Sequence, residues 1–303
     1  MAYRHLDTLL AIVDLGSFDA AASALGISPS AVSQRIKTLE SEAGRVLIRR
    51  STPPTATPAG EILVQTARRM QLLQREASLH LGGNLSAVPL TVAVNADSLG
   101  TWFQRILPDV GALTTIDLYI RVEDEKHSLR LLRRGDCMAA VTTEGSPVAG
   151  CQSEYLGIQR YVAVAAPKVA ALLDSGEHTF ATLPAARFGS KDHMEESFLE
   201  EHWEEFDSGV HGPGRSPERR YENRRESRVP SFEALTAAMV AGTGWGMVPE
   251  RQAAPLIERG LLVWLMEGKY LDVPLYWQRW KVESQQLEQL SDSIHAAAAV
   301  ELL

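Results

Sequence analysis

The strongest constraint on this chain is the punctuation of its first sixty residues, where apolar stripes of helical spacing are each stopped by a glycine. Leu6, Leu9, Leu10 and Val13 recur at i, i+3, i+4 and i+7, which predicts a first helix ended by Gly16. Ser17 offers a side-chain oxygen to cap a second helix over 18–25, with Ala21, Ala22 and Leu25 inward and Gly26 as its stop. Ser28 followed by Pro29 is a restart: a capping hydroxyl, then proline at the first helical position, where its missing N–H costs nothing. The third helix is expected over 29–43, with Val32, Ile36, Leu39 and Ala43 inward and Gly44 ending it. Two short helices across a glycine-containing turn make a helix-turn-helix pattern. A short apolar segment, 46–48, then Arg49 and Arg50, the stiff Pro53-Pro54 pair, Thr55 and Thr57 predict a wing.

From Pro58 to about Leu81 a longer helical pattern puts Ile62, Thr66, Met70, Leu73, Ala77 and Leu81 near one face, closed by Gly82-Gly83-Asn84. A helix leaving so small a domain cannot bury such a stripe alone, so it reads as a linker and dimerisation helix. From Leu90 onward strands alternate with helices, the texture of a parallel-sheet α/β domain. Strands are expected over 90–94, 116–122, 137–141, 245–248, 261–265 and 274–280, and helices over 98–107, 127–134, 232–241, 250–259 and 284–302. The Gly/Pro/Arg-rich stretch 208–231 has no apolar period; Arg215, Arg219, Arg220, Arg224, Arg225 and Arg228, interleaved with acids, read as a solvated loop and edge strand, a second nucleic-acid patch being the alternative.

Charge bears on partners. The formal net charge of −8 looks wrong for a nucleic-acid binder until it is divided: residues 1–80 carry nine Lys and Arg against seven Asp and Glu, so the acid lies in the remainder. Cys137 and Cys151 are the two cysteines, and without a CxxC pair or Cys/His cluster they read as reduced thiols rather than a zinc site. Asp7 and Asp14 interrupt the pattern a signal peptide requires, and no apolar run reaches membrane-spanning length, so a cytoplasmic protein without membrane partners is expected. Gly242-x-Gly244-x-Gly246 follows a helix and precedes a strand, the reverse of a dinucleotide fingerprint, and reads as a helix stop with tight packing. No GxSxG, HExxH or P-loop occurs and the eight histidines are scattered, so no catalytic, cofactor or metal residues are expected.

A helix in the major groove presents its N-terminal residues to base edges while flanking cations and amides hold phosphates. With its apolar face inward, the third helix leaves Ser30, Ser33, Gln34, Arg35 and Lys37 outward, donors of the kinds that pair with guanine and adenine. Ser28, Pro29, Ser30, Lys37, Arg49 and Arg50 complete the expected contact surface for double-stranded promoter DNA. An ordinary polar helix surface is the alternative for these residue types taken alone.

These residues also carry a resemblance. Ala21-Ala22, Leu25, Ser28, Ser30-Ala31-Val32-Ser33, Ile36, Leu39-Glu40, Gly44, Leu47, Arg50, Thr57 and Ala59-Gly60 resemble the N-terminal signature of LysR-type transcriptional regulators. Pro29 stands where that family commonly has glutamine, and Gln34-Arg35 where an Arg-Gln pair is frequent. The resemblance implies an N-terminal winged helix-turn-helix joined to a two-lobed, periplasmic-binding-protein-like (type 2) α/β effector domain. Residues 91–99, Thr101-Trp102, 122–125, 132–135 and Leu275-Tyr276-Trp277 are similar to the ArgP/LysG branch, which implies control of basic amino-acid export. The expected organisation is 1–58 winged helix, 59–84 linker, and 85–303 effector domain, with one lobe about 88–163 and 267–303 and the other about 164–266.

Ligands of open α/β sheets bind beyond the carboxyl ends of strands. Asn95, Asp97 and Ser98 fall where the first strand ends and a helix begins, suited to a ligand carboxylate at the helix N-terminus and an α-ammonium at Asp97. Glu123 and Asp124 end the next strand and Thr142, Thr143 and Glu144 the third; Trp102 and, from the second lobe, Phe188, Asp192, Ser231 and Trp245 complete the expected effector residues. Asp97 as a helix cap, the acids as exposed loop groups and Trp102 as core are the competing readings. The expected partners are promoter DNA, a basic amino acid such as lysine, arginine or histidine, further copies of the chain as a homodimer or homotetramer, and RNA polymerase. An origin- or nucleoid-associated protein of the same fold, and a two-lobed amino-acid-binding protein without DNA recognition, remain as alternatives.

Overall fold

The computed structural model describes residues 2–82, 88–190, 192–202 and 224–303, the side chains of Glu125 and Lys126 excepted. The chain divides into two units: Met1–Val94, Ile106–Glu154 and Tyr276–Ile294 form the first, and Asn95–Arg105, Tyr155–Leu275 and His295–Leu303 the second. Arg215, Arg219 and Arg220 of the arginine-rich stretch, and the linker end Gly83-Asn84, lie outside the described residues.

The first unit opens with α1 (Tyr3–Leu15), α2 (Phe18–Leu25) and α3 (Pro29–Ala43). Gly16 and Gly44 end α1 and α3 in the left-handed region at φ 63°, where a side chain would strain the backbone. The serine caps form as expected: Ser17 Oγ accepts from Ala20 N at 3.3 Å and Ser28 Oγ from Ala31 N at 3.2 Å. Leu9, Ile12, Val32, Ile36 and Leu39 close a buried core, to which Leu47 adds the root of the wing. The wing is β1 (Ile48–Arg49) paired antiparallel with β2 (Thr55–Ala56). Glu40 holds that root, its Oε1 accepting from Leu47 N at 2.9 Å.

Thr57 Oγ1 caps α4 (Pro58–His80) by accepting from Gly60 N at 3.1 Å. Val64 and Ala67 of α4 complete the core of the winged helix. Farther along the inner face, Gln65, Arg68, Arg69 and Glu76 hydrogen-bond the remainder of the unit. The opposite face keeps the stripe read from the sequence: Ile62 is 66% exposed, Met70 38% and Leu73 42%.

In the same unit, β3 (Val88–Val94) pairs in parallel with β4 (Ile116–Val122) and with β5 (Ala139–Thr142), and β11 (Leu271–Trp280) runs antiparallel to β5. Between β4 and β5 the chain forms α7 (Glu125–Arg134), stopped by Gly135 at φ 74°. The last helix, α12 (Gln285–Glu301), is fixed to β11 by Trp277 Nε1 donating to Ser291 Oγ at 3.0 Å and by a bidentate Arg279–Glu288 pair at 2.7 and 2.9 Å.

The second unit is built around β6 (Cys151–Ala165), which enters it at Tyr155 and pairs antiparallel with β9 (Gly246–Pro249) and β10 (Val263–Trp264). Alternate β6 residues feed opposite cores: Tyr161, Ala163 and Ala165 one, Val162 and Val164 the other. Around it lie α8 (Pro167–Asp174), α9 (Met194–Glu201), α10 (Phe232–Ala241) and α11 (Glu250–Glu258), with β7 (Ala185–Arg187) paired in parallel to β8 (Glu226–Arg228).

Several elements differ from expectation: α8, β7 and α9 were not anticipated, and two further differences bear on the site. The single helix anticipated over 98–107 is α5 (Ala96–Gly100), a 3-10 turn at Trp102–Ile106 and α6 (Leu107–Ala112). Thr101 leaves the helical region at φ −114°, ψ −99°, and the break lets Trp102, Phe103 and Ile106 all be buried. The long strand β6 was not anticipated at all, because its first half is polar and Gly157 interrupts its alternation. The glycine triplet does what its position suggested. Gly242 stops α10 at φ 80°, while a Cβ on Gly244 would lie 2.5 Å from the Ala185 carbonyl carbon and one on Gly246 2.6 Å from the Ala186 oxygen.

A methyl at Gly60 would stand 2.0 Å from the Leu47 carbonyl oxygen. That contact is with backbone, which cannot swing aside, so Gly60→Ala should destabilise the winged helix by at least about 1–3 kcal/mol. Thermal unfolding should show an early transition in this variant, and an unchanged profile would remove the packing assigned to Gly60.

Candidate DNA-reading surface and effector site

The reading surface is assembled by the caps. Ser28, at the start of α3, spends its hydroxyl on the Ala31 amide and lies 2.8 Å from Ser30 Oγ, so both side chains stay at the exposed helix N-terminus beside Pro29. Gln34 and Lys37 point outward and are exposed; Ser33 is half-buried. Arg35 is also half-buried, and its Nη1 donates to Thr8 Oγ1 on α1 at 3.2 Å, so it ties two helices together rather than standing free for a base. Arg49 and Arg50 are exposed on and beside the wing strand that Glu40 anchors. The exposed set is thus donors at one helix end and cations on the wing, the division of labour duplex recognition requires.

In the first unit, the parallel register of β3, β4 and β5 brings their carboxyl ends to one edge. Glu123 follows β4, its amide donating to Val94 O at 3.1 Å. Asp124 caps α7, accepting from His127 N at 2.8 Å and standing 2.6 Å from His127 Nδ1. Thr142 is fully buried, its hydroxyl donating to Glu144 O at 3.1 Å. Thr143 is half-buried and Glu144 exposed. Gln278 pins the Glu144 loop by donating to Glu144 O and Ser146 O at 2.7 and 3.0 Å and accepting from Val148 N at 3.0 Å.

In the second unit, Asn95 rather than Asp97 caps α5, with Oδ1 accepting from Ser98 N at 3.0 Å. The helix is one turn long and its Ser98 amide is already taken, so the anion cradle expected there is weaker than the sequence suggested. Asp97 is held from the strand behind, Tyr161 Oη donating to its Oδ2 at 2.9 Å. Ser98 is fully buried and donates to Gln159 Oε1 at 3.2 Å. Tyr161 and Gln159, two residues apart on one face of β6, escaped the sequence reading; their polar groups aligned every second residue where the strand turns apolar were the clue available. Ser231 caps α10, and the Phe232 ring beside it lies so close to Gly100 that a Cβ there would be 2.4 Å away, which brings Ser231 toward α5.

Neither tryptophan shows a face to a ligand. Trp102 is 2% exposed and packs edge-on to Phe103 at 5.7 Å; Trp245 is fully buried, edge-on to Phe180 at 5.6 Å. Phe188 is half-buried, its amide donating to Asp192 Oδ2 at 3.1 Å, and Asp192 Oδ1 accepts from Met194 N at 3.2 Å, so Asp192 shapes the turn into α9. Beside that turn lies a buried ionic cluster. Arg187 reaches Glu226 at 3.0 Å and Glu196 at 2.6 Å, and Arg224 reaches Glu196 at 3.1 Å. Arg224 thus belongs to an ordered cluster and not to the solvated loop expected of this stretch. Glu195, 1% exposed, pairs with Arg187 Nε at 3.1 Å, and burial pushes its carboxyl up to about 8. Next to burial, the Asp192 and Glu196 carboxylates also raise it, while Arg187 and Arg224 pull the other way. Cys137 and Cys151 are free, buried thiols, and burial raises Cys151 to about 11.

Comparison with known proteins agrees along the whole length. Residues 3–61 match the family described as bacterial regulatory helix-turn-helix protein, lysR family, and residues 87–299 match the LysR substrate binding domain. The lysine export transcriptional regulatory protein LysG of Corynebacterium glutamicum is 47% identical over 296 residues, 97% of each chain. The HTH-type transcriptional regulator ArgP of Pseudomonas aeruginosa is 36% identical, covering 98% of this chain and 95% of its own. Among solved structures, full-length LysG of Corynebacterium glutamicum with bound effector Arg superposes with TM-score 0.85 at 46% identity, over 100% of this chain and 99% of that one. ArgP from Mycobacterium tuberculosis superposes with TM-score 0.86 at 40% identity, over 98% and 97%. Among the described residues, no helix is long and apolar enough to cross a membrane.

The Glu195 carboxyl sets a pH dependence of its own. Its folded value of about 8 lies above the ordinary 4.5, so between those values the native state holds a proton the unfolded chain has lost. Stability therefore falls as pH rises through that window, by up to about 1.4 kcal/mol per unit. Glu195→Gln should gain on the parent steadily from pH 5 to 8 in urea unfolding; a difference independent of pH would place the carboxyl in its ordinary range.

Proposed function

Because the chain belongs to the LysR family of bacterial transcription regulators, we propose that it reads a promoter through α3 and the wing and alters its hold on that DNA when a basic amino acid binds the substrate-binding domain. The regulated gene on this reading is an amino-acid exporter, and the sign is activation through contact with RNA polymerase. One observation carries the proposal: an intact reading surface continues into a sensor domain whose full-length relatives are named for lysine export, one of them with arginine bound as effector. The proposed division is 1–58 for reading, 59–84 for the linker and 85–303 for sensing. The exposed stripe on α4, with Ile62, Met70 and Leu73, pairs with a second copy, since a lone helix face of this kind remains wet.

For the effector, Asp97 is the proposed partner of the ligand ammonium, held in place by Tyr161. A hydrogen bond to a charged group contributes about 1.5–3 kcal/mol, enough to distinguish a charged ligand from a neutral one. Glu123 and Glu144 are separate proposals for contact with a cationic side chain, each open to its own substitution.

Gel shifts and in-vitro transcription with lysine, arginine and histidine test the reading, and indifference to all three would remove the effector. Arg50→Ala should weaken binding similarly on every sequence and reduce the slope of log affinity against log salt by about 0.9. Gln34→Ala should instead relax preference at a single base position, at about 1–3 kcal/mol. Asp97→Ala should leave DNA binding intact but abolish ligand-induced thermal stabilisation, which amounts to about 2.7 kcal/mol at one hundred times the dissociation constant. A full thermal shift in that variant would move the pocket elsewhere.

A further inference from the structure

We propose that Arg68 is a positioning residue that clamps the winged helix to the sensor portion of its own unit, and that the effector acts on the DNA by changing this clamp. The ligand part rests on the effector reading given above; the clamp itself does not. Arg68 lies midway along α4 and makes three contacts to two different parts of the unit. Its Nη2 pairs with Asp14 at the end of α1, inside the winged helix, and with Asp136 at 2.8 Å, beyond α7. Its Nη1 donates to Gly135 O at 3.0 Å. One guanidinium therefore bridges the reading domain and the turn after α7.

That turn can act as a relay because of what stands at each end of α7. Asp124, one of the acids at the carboxyl edge of the sheet, caps its N-terminus. At the other end, Gln65 Nε2 donates to Leu132 O at 3.0 Å and Arg68 to Gly135 O, so α4 satisfies carbonyls that the end of a helix leaves unpaired. A cation at this end also faces the negative pole of the helix. Gly135 permits the approach: a Cβ there would be 3.2 Å from both Arg68 Cδ and Gln65 Cα. A shift of α7 at Asp124 thus reaches Arg68 through a single short helix, and from Arg68 it reaches Asp14.

The two acids and one arginine divide by exposure. The Arg68 side chain is 18% exposed, Asp136 24% and Asp14 46%. Asp14 is the most accessible member and the only one in the winged helix, so it is where the clamp opens without unfolding either side. Gln65 and Glu76, both nine-tenths buried or more, hold α4 in place when it does.

The test uses the full-length protein with Asp14→Asn and Arg68→Gln, and Arg68→Lys as the conservative variant. Because Cys137 and Cys151 are buried, spin labels can be placed on Ser23→Cys in α2 and Asp117→Cys in β4, and diluted with unlabelled protein so that only distances within one chain are read. The expected result is a narrow distance distribution in the parent and a broadened one in Asp14→Asn and Arg68→Gln, partly restored by Arg68→Lys. Equal widths in all forms would overturn the clamp. In the second arm, arginine-induced thermal shift and operator affinity are measured together. Arg68→Gln should keep the parent's thermal shift but lose most of the effector-dependent change in affinity, for which about 5- to 150-fold is usual. An undiminished change overturns the coupling role. Absence of any thermal shift in the parent overturns the effector reading instead, and the distance measurement still judges the clamp.

Discussion

A single uninterrupted helix belongs to two cores, and the rest of the structure depends on it. Val64 and Ala67 of α4 are buried with Leu9, Ile12 and Leu39 in the winged helix, while Gln65, Arg68, Arg69 and Glu76 bond the sheet-bearing part of the same unit. At 23 residues α4 spans about 35 Å, so it can serve both only along its length. The polar inner contacts fix its rotation. Gln65 must meet Leu132 O and Glu76 must meet Ser284 Oγ, the hydroxyl that caps α12, or a buried group loses its partner at about 1–3 kcal/mol. With rotation fixed, the stripe of Ile62, Met70 and Leu73 has nowhere to turn but outward.

The second unit is organised by a different constraint, the burial of charge. Arg187 and Arg224 with Glu195, Glu196 and Glu226 hold β7, β8 and α9 to one another, and the Asp192 turn sits against them. Removing a charged member such as Glu196 leaves its arginine partners charged and unpaired, which costs far more than the pair contributes. The turn carrying Phe188 and Asp192 is therefore shaped by ions rather than by packing alone.

What could be read in the sequence was what depends on near neighbours. The bounds of α2, α3 and α10, and the stops at Gly16, Gly44, Gly135 and Gly242, follow from caps and left-handed glycines whose effect is local. What could not be read depends on distant partners. Helix 98–107 breaks because Trp102 and Phe103, adjacent in sequence, are both drawn into the interior. Arg35 looks like a base reader until Thr8, 27 residues away, takes it. The competing reading of Asp97 as a cap gives way, because Asn95 has that role and Tyr161 bonds Asp97 from β6. Arg224 sits in a polar, glycine-rich stretch and is nonetheless buried, because Glu196 and the Trp245 ring lie beside it. In each case an expectation drawn from residue type yields to a contact made far along the chain.

Magnitudes decide where a molecule of this kind can switch. A ligand shifts an equilibrium only by the difference between its affinities for the two states, and couplings between sites commonly amount to about 1–3 kcal/mol. Separating α4 from its buried seam would strand Gln65, Glu76 and several carbonyls at once, well beyond that sum. The Arg68–Asp14 pair is different: with nearly half of Asp14 in solvent, such a contact contributes about 0–1 kcal/mol, and water replaces it when it opens. A bound effector can supply that much. On the proposed clamp the seam therefore stays closed, and movement of the reading domain falls on the contacts at the α1 end of the helix.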